Sequence, residues 1–136
     1  MKPIGYWLNR TDQALTSSMN AALAEFGLTR LGWQVLNAVK DDPRATDAAL
    51  PAALAVGAGA GAETLTEAVA SVLTAGWVTR PRPGHLSLTT DGLVHLAEVA
   101  RRMDAFRELS AAGVTREEYV IAVTVLERMT HNLTRS

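Results

Sequence analysis

Gly76-Trp77-Val78-Thr79-Arg80-Pro81-Arg82-Pro83-Gly84-His85-Leu86-Ser87-Leu88-Thr89-Thr90-Asp91-Gly92 is the stretch on which the reading of this chain turns. Trp77 to Arg80 and His85 to Thr89 carry the β-branched and alternating residues of a hairpin, with Pro81-Arg82-Pro83-Gly84 as turn chemistry between them. A lone small hairpin is marginal in water, so this one has to lean on its flanks. Helical patterns border it on both sides.

The chain has 136 residues, of which 48% are hydrophobic and 20% charged, which suits one domain with one core and argues against wholesale disorder. No apolar run reaches membrane-spanning length, and Met1-Lys2-Pro3-Ile4 runs straight into polar Asn9, Arg10, Asp12 and Gln13, unlike a signal peptide. Zero cysteines removes disulfides, thiolate metal sites and cysteine redox sensing together. The cytoplasm is therefore the expected location. A net charge of −1 neither supports nor excludes a nucleic-acid partner, so the distribution of charge has to decide.

Outward from the hairpin the pattern is helical. Ile4, Leu8, Leu15, Met19, Ala22, Leu23 and Phe26 recur at helical spacing, predicting a first helix over about 4–26 that ends at Gly27. Thr29 is placed to cap a second helix carrying Leu31, Val35, Leu36 and Val39. Thr46 or Asp47 opens a short third one through Ala49, Leu50, Ala53 and Leu54, with Pro51 tolerable only near its first turn. Thr64-Leu65-Thr66-Glu67 is a capping-box pattern that starts a helix running to about Ala75 and burying Leu65, Val69, Val72 and Leu73, with Gly76 closing it. Thr90 or Asp91 caps a long helix with Leu93, Leu96, Ala100, Met103, Phe106 and Leu109. After Gly113, Thr115 caps a last helix from Arg116 to about Leu133. The fold class is mainly α, a winged helix-turn-helix with one short β-hairpin wing.

Gly57, Gly59 and Gly61 precede a helix but follow another helix, and no lysine comes after them. They read as a connector and not as a phosphate-binding loop.

This order of elements resembles the MarR family of winged helix-turn-helix regulators over nearly the whole chain. The resemblance rests on Leu28-Thr29 leading to Gln34-Val35-Leu36, on Leu73-Thr74-Ala75-Gly76-Trp77-Val78, and on Leu88-Thr89-Thr90-Asp91-Gly92. It implies a homodimer, a palindromic double-stranded DNA operator, and a small-molecule effector pocket between dimerisation helices and a DNA-binding lobe. The single domain then divides into a lobe over about 28–92 and dimerisation helices over about 3–26 and 93–135. The last helix fits this physically: Tyr119, Val120, Ile121, Ala122, Val123, Val125, Leu126, Met129 and Leu133 surround much of its circumference, more than one buried face requires. The other reading is that the terminal helices cap a monomeric core.

Candidate DNA contacts come from two places. The second helix of a helix-turn-helix enters the major groove. Here it presents Thr64, Thr66, Glu67, Ala70, Ser71 and Thr74, yet no lysine or arginine occurs from Ala45 through Thr79. Arginine-to-guanine contacts are thus absent from this helix, while threonine, serine and glutamate remain able to reach phosphates, thymine methyls or cytosine. Arg80, Arg82 and His85 at the hairpin supply the cationic side, although the wing is shorter than the family's and lacks the usual aspartate and arginine of its first half. A wing of solvated turn charges is the alternative for these residues.

Tyr6, Trp7 and Arg10 on the first helix and Trp33 and Asn37 on the second form a candidate ligand site for a planar anionic or phenolic molecule, with aromatic walls and one cation. The bland alternative makes the tryptophans core or interface residues, with Arg10 paired to Asp12 or another acid. His85, His95 and His131 lie in different elements without metal-ligand spacing, and neither a nucleophile elbow nor a carboxylate couple stands out, so neither a metal, a cofactor nor catalysis is expected. Two classes remain: a dimeric DNA-binding regulator modulated by a small aromatic or anionic ligand, and a winged-helix dimer with degenerate DNA binding that serves as a ligand-binding or protein-interaction module.

Overall fold

Caps and glycines divide the chain. The structure, a computed structural model, describes residues 1–54 and 64–135, so the expected glycine connector lies outside the described residues. Two compact units are present, Met1–Phe106 and Arg107–Ser136.

In the first unit, α1 spans Ile4–Ala24 and stops two residues before the expected Phe26. The reason is the turn at Gly27, whose φ of 69° lets the Leu28 N–H return 3.1 Å to the Leu23 carbonyl and draws Glu25 and Phe26 out of the helix. Helix α2 (Arg30–Asp41) is capped by Thr29, whose hydroxyl accepts from the Gly32 N–H at 3.0 Å. Thr46 caps a single 3-10 turn, Asp47–Ala49, that runs into the four-residue α3 (Leu50–Ala53) with Pro51 in its first turn. Thr64 caps α4 (Leu65–Thr74) through the Glu67 N–H at 3.1 Å, but the capping box is only half formed. The Glu67 carboxylate accepts from the Thr64 hydroxyl at 3.0 Å instead of from the backbone N–H.

The wing pairs β1 (Val78–Thr79) antiparallel with β2 (Ser87–Leu88), in the register Val78 to Leu88 and Thr79 to Ser87. The strands are shorter than the expected 77–80 and 85–89 because Pro81 and Pro83 have no N–H to extend the ladder. Gly84, at φ 76°, follows Pro83 in a turn closed by the His85 N–H on the Arg82 carbonyl at 3.1 Å, an arrangement only glycine adopts without strain. The sequence reading misses a third pairing. Thr46 bridges His85, with Leu86 N–H on the Ala45 carbonyl at 2.9 Å and Asp47 N–H on the Gly84 carbonyl at 3.1 Å.

Helix α5 (Thr90–Ser110) corrects the expected cap. Thr89, and neither Thr90 nor Asp91, caps it: its hydroxyl donates to the Gly76 carbonyl at 2.6 Å and accepts from the Gly92 N–H at 3.0 Å. The core joins Leu23 of α1, Val35, Leu36 and Val39 of α2, Val69 and Val72 of α4, Val78, Leu86, and Leu96, Val99 and Met103 of α5. Ile4, Leu8 and Leu15 of α1 and Leu93 and Leu109 of α5 are exposed, and Ala22 and Leu23 are the buried residues of α1.

In the second unit a turn at Gly113, with φ 79°, precedes α6 (Arg116–Thr134). Thr115 and Glu118 form a complete capping box, and the Thr115 N–H, then its hydroxyl, hold the Glu118 carboxyl below the usual carboxylate range. No residue of α6 is buried. Tyr119, Val120, Ile121, Val123 and Val125 are exposed, and Leu126 and Met129 are half-buried.

Gly92 sits where no side chain fits, since a Cβ there would lie 2.1 Å from the Trp77 carbonyl oxygen. Gly92→Ala is expected to destabilise the fold by about 2 kcal/mol or more, as overpacking against backbone does. Thermal unfolding followed by circular dichroism measures it, and an unchanged midpoint would refute the close approach.

Candidate nucleic-acid interface

Helix α4 turns one face inward and one outward. Ala68, Val69 and Val72 are buried, while Thr66, Glu67, Ala70, Ser71 and Thr74 are exposed along the other side, with Thr64 exposed at the N-cap. The residues the sequence assigned to groove contact therefore share one surface. That surface carries no cation, and Glu67 makes it acidic at the helix start.

The wing supplies positive charge less freely than its sequence suggests. The Arg80 guanidinium Nη1 lies 2.7 Å from Asp47 Oδ1 and 2.5 Å from Oδ2, an ion pair with both partners roughly 40% exposed. The backbone makes this pair: Asp47 is anchored on Gly84 through its N–H, while Arg80 follows β1 directly. Arg82 is exposed at the tip and makes no ion pair among the described residues. His85 is half-buried, its Nδ1 donating to the Pro83 carbonyl at 3.1 Å, which ties the ring to the turn. Asp47, Arg80, Thr66 and Ala70 line a hollow of about 280 Å³ where α4 meets the base of the wing. Helix face and Arg80 thus belong to one surface.

The five expected ligand residues separate into two groups. Tyr6 and Trp7 meet edge to face with centroids 5.1 Å apart, and Lys2 and Arg10 lie over the Tyr6 ring at 5.3 and 5.5 Å. All three expected residues of α1 are exposed. Trp33 and Asn37 instead line a cleft of about 570 Å³ on α2, to which Tyr6, Trp7 and Arg10 do not contribute. Asn37 donates to the Trp33 carbonyl at 3.2 Å.

His95 has a role the sequence does not reveal. Its Nε2 donates to the Phe26 carbonyl at 2.8 Å, and its ring stacks on Trp77 with centroids 4.0 Å apart and planes 13° off parallel. It ties the C-terminal turn of α1 to the base of the wing, across 69 residues of sequence. The signal available was its place three residues after Gly92, one turn along the helix that touches Trp77. Among the described residues, no cluster of three or more histidine and acidic side chains could hold a metal ion, and no helix is long and apolar enough to cross a membrane.

Buried helices supporting an exposed helix and a β-wing define a winged helix. Solved structures with the same arrangement span nearly this whole chain. A MarR family transcriptional regulator from Silicibacter pomeroyi superposes with a TM-score of 0.74 at 18% identity, covering 95% of this chain and 93% of its own. The reduced form of MarR from E. coli gives 0.71 at 21% identity, covering 95% and 94%. A Mycobacterium tuberculosis MarR family protein, solved in complex with DNA, gives 0.69 at 24% identity and covers 99% and 100%. No protein-family model and no curated protein matches the sequence. The chain has the MarR-type winged-helix fold.

Replacing His95 by leucine removes the donor from the Phe26 carbonyl and the stack on Trp77. Urea unfolding is expected to show a loss of about 1–3 kcal/mol, the cost of leaving a half-buried acceptor unpaired. An unchanged midpoint would make the contact incidental.

Proposed function

We propose that this chain is a homodimeric, DNA-binding transcription regulator of the MarR type. The observation that carries the reading is the outward face of α4 beside the wing, Thr66, Glu67, Ala70, Ser71 and Thr74 sharing one surface with Arg80. In this reading the α4 N-terminus enters the major groove of a palindromic operator. Thr64, Thr66 and Ser71 then contact phosphates and thymine methyls, and Glu67 accepts from cytosine. Arg80, Arg82 and His85 reach the flanking backbone from the wing. The exposed apolar faces of α1 and α6 form the dimer interface, Tyr6, Trp7 and Arg10 lying within it, and the domain works as one lobe with its dimerisation helices. A small aromatic effector binds at Trp33 and Asn37.

A second reading is favoured by one specific observation. With Arg80 neutralised by Asp47 and no cation on α4, the surface has little to offer phosphates. A winged-helix dimer with degenerate DNA binding, serving as a ligand-binding or protein-interaction module, would look like this.

Fluorescence anisotropy on the DNA upstream of its own gene and on a genome-derived duplex library, against scrambled DNA over a salt series, separates the two. Selective, saturable binding supports the regulator. Its absence from every duplex at low salt supports the module. If Arg80 and Arg82 both bind phosphate in a dimer, about four phosphates are neutralised and the logarithmic salt slope is about −3.6. The Arg80→Ala, Arg82→Ala pair should lower affinity about equally on all sequences, because phosphate contacts carry little sequence information. Asp47→Asn, which releases Arg80, should raise affinity and steepen the slope by up to about 1.8, the share of two arginines. A weakened complex would instead give Asp47 a supporting role.

Charges placed in the exposed face of α6 should dissociate the dimer. Ile121→Glu with Val125→Glu is expected to sediment as a monomer with its helicity intact, since charges without opposite partners are strongly unfavourable in a desolvated interface. A dimer of undiminished stability would move the interface elsewhere.

A further inference from the structure

Thr64 and Glu67 hold each other at the start of α4. The Thr64 hydroxyl accepts from the Glu67 N–H at 3.1 Å and donates to Glu67 Oε1 at 3.0 Å, so both of its hydrogen-bonding roles serve one residue. A flexible side chain is thereby oriented before anything binds. Both residues are exposed, and among the described residues Glu67 Oε2 accepts no hydrogen bond and no cation pairs with the carboxylate. An oriented acceptor therefore stands on the outward face of α4.

Its neighbour on that face is a methyl group. Ala70 is exposed one turn further on, its Cβ about 5–6 Å from that of Glu67. Ala70 also borders the hollow at the base of the wing, beside Thr66 and the apolar Leu65, Val69 and Leu73. Arg80, the cation in that lining, is engaged by Asp47. A carboxylate beside a methyl is selective among base edges. In the major groove guanine offers two acceptors, adenine sets N7 beside its N6 donor, and thymine sets O4 beside its methyl, so each turns an acceptor toward the carboxylate. Cytosine offers its N4 donor with no acceptor next to it. Methylated at C5, cytosine also places a methyl beside that donor, which matches Glu67 and Ala70 together.

We propose that Glu67 determines the base preference of this surface, that Thr64 positions it, and that the preferred base is 5-methylcytosine, with N4–H on the Glu67 carboxylate and the C5 methyl on Ala70. This rests on the regulator reading and adds to it the modification state of the DNA partner. A cation-free α4 is then no defect. A cation beside Glu67 would pair with the carboxylate and take it from the cytosine.

Duplexes selected by the full chain from a randomised pool, then remade with each base and with 5-methylcytosine at every position, test this by fluorescence anisotropy. One position per half-site is expected to prefer cytosine by about tenfold over the other three bases. Methylation at C5 there should tighten binding by about fourfold per half-site, the factor for burying one methyl. Glu67→Gln should move the preference to adenine, since an amide pairs with N6 and N7 together. Thr64→Ala should flatten the preference at that position and Thr64→Ser restore it, which a change in helix stability alone would not do. Ala70→Gly should cancel the effect of the methyl and keep that of the base. Circular dichroism checks that the variants fold. Methylation that weakens binding or leaves it unchanged, or a preferred base that Glu67→Gln does not alter, overturns the proposal while DNA binding stands. Failure to bind any duplex at low salt overturns the regulator reading and the proposal together.

Discussion

The first turn of α5 can approach the Gly76-Trp77 backbone only because Gly92 has no side chain. Three bonds gather at that seam: Thr89 N–H to the Trp77 carbonyl at 3.0 Å, the Thr89 hydroxyl to the Gly76 carbonyl, and the Gly92 N–H to the same hydroxyl. One threonine therefore ends the hairpin, caps α5 and holds the turn that follows α4. His95, one turn further on, extends the seam to Phe26 at the end of α1. The wing is too short to stand by itself, and this seam is what gives it a fixed origin.

From that origin the wing presents its charges under constraint. Thr46 adds a third pairing to the hairpin and in doing so brings Asp47 to Arg80. A partly exposed ion pair of this kind contributes little to stability, but it fixes where a guanidinium spends its time. A phosphate has to compete with a carboxylate already in place. The electrostatic character of the α4 surface follows less from how many arginines the wing has than from which of them is already engaged.

Apolar surface is distributed unevenly. The core gathers residues of α2 and α4, yet Ile4, Trp7 and Leu8 of α1 and Tyr119, Val120, Ile121, Val123 and Val125 of α6 stay exposed. Exposed apolar side chains of this kind are what the proposed dimer interface would cover.

Much of the fold was legible because its determinants act over three or four residues. Thr29, Thr64 and Thr115 announce helix starts, Gly27, Gly76 and Gly113 the stops, and Pro83-Gly84 the turn; a cap or a tight turn needs no distant partner. The outward face of α4 was legible for the same reason, since helical period alone sorts Thr66, Glu67, Ala70, Ser71 and Thr74 from Val69 and Val72. What spans the chain was not. The choice of Thr89 over Thr90 as cap depends on the Gly76 carbonyl, 13 residues away; the engagement of Arg80 depends on Asp47, 33 away; and the placing of His95 depends on Phe26, 69 away. Trp33 and Asn37 part from Tyr6, Trp7 and Arg10 because helix packing, and not residue type, decides which side chains share a cleft. Sequence by itself determined the elements and their faces, since these follow from local chemistry. Tertiary structure alone decided which charges are free and which aromatics meet, since both depend on contacts between residues that no local window contains.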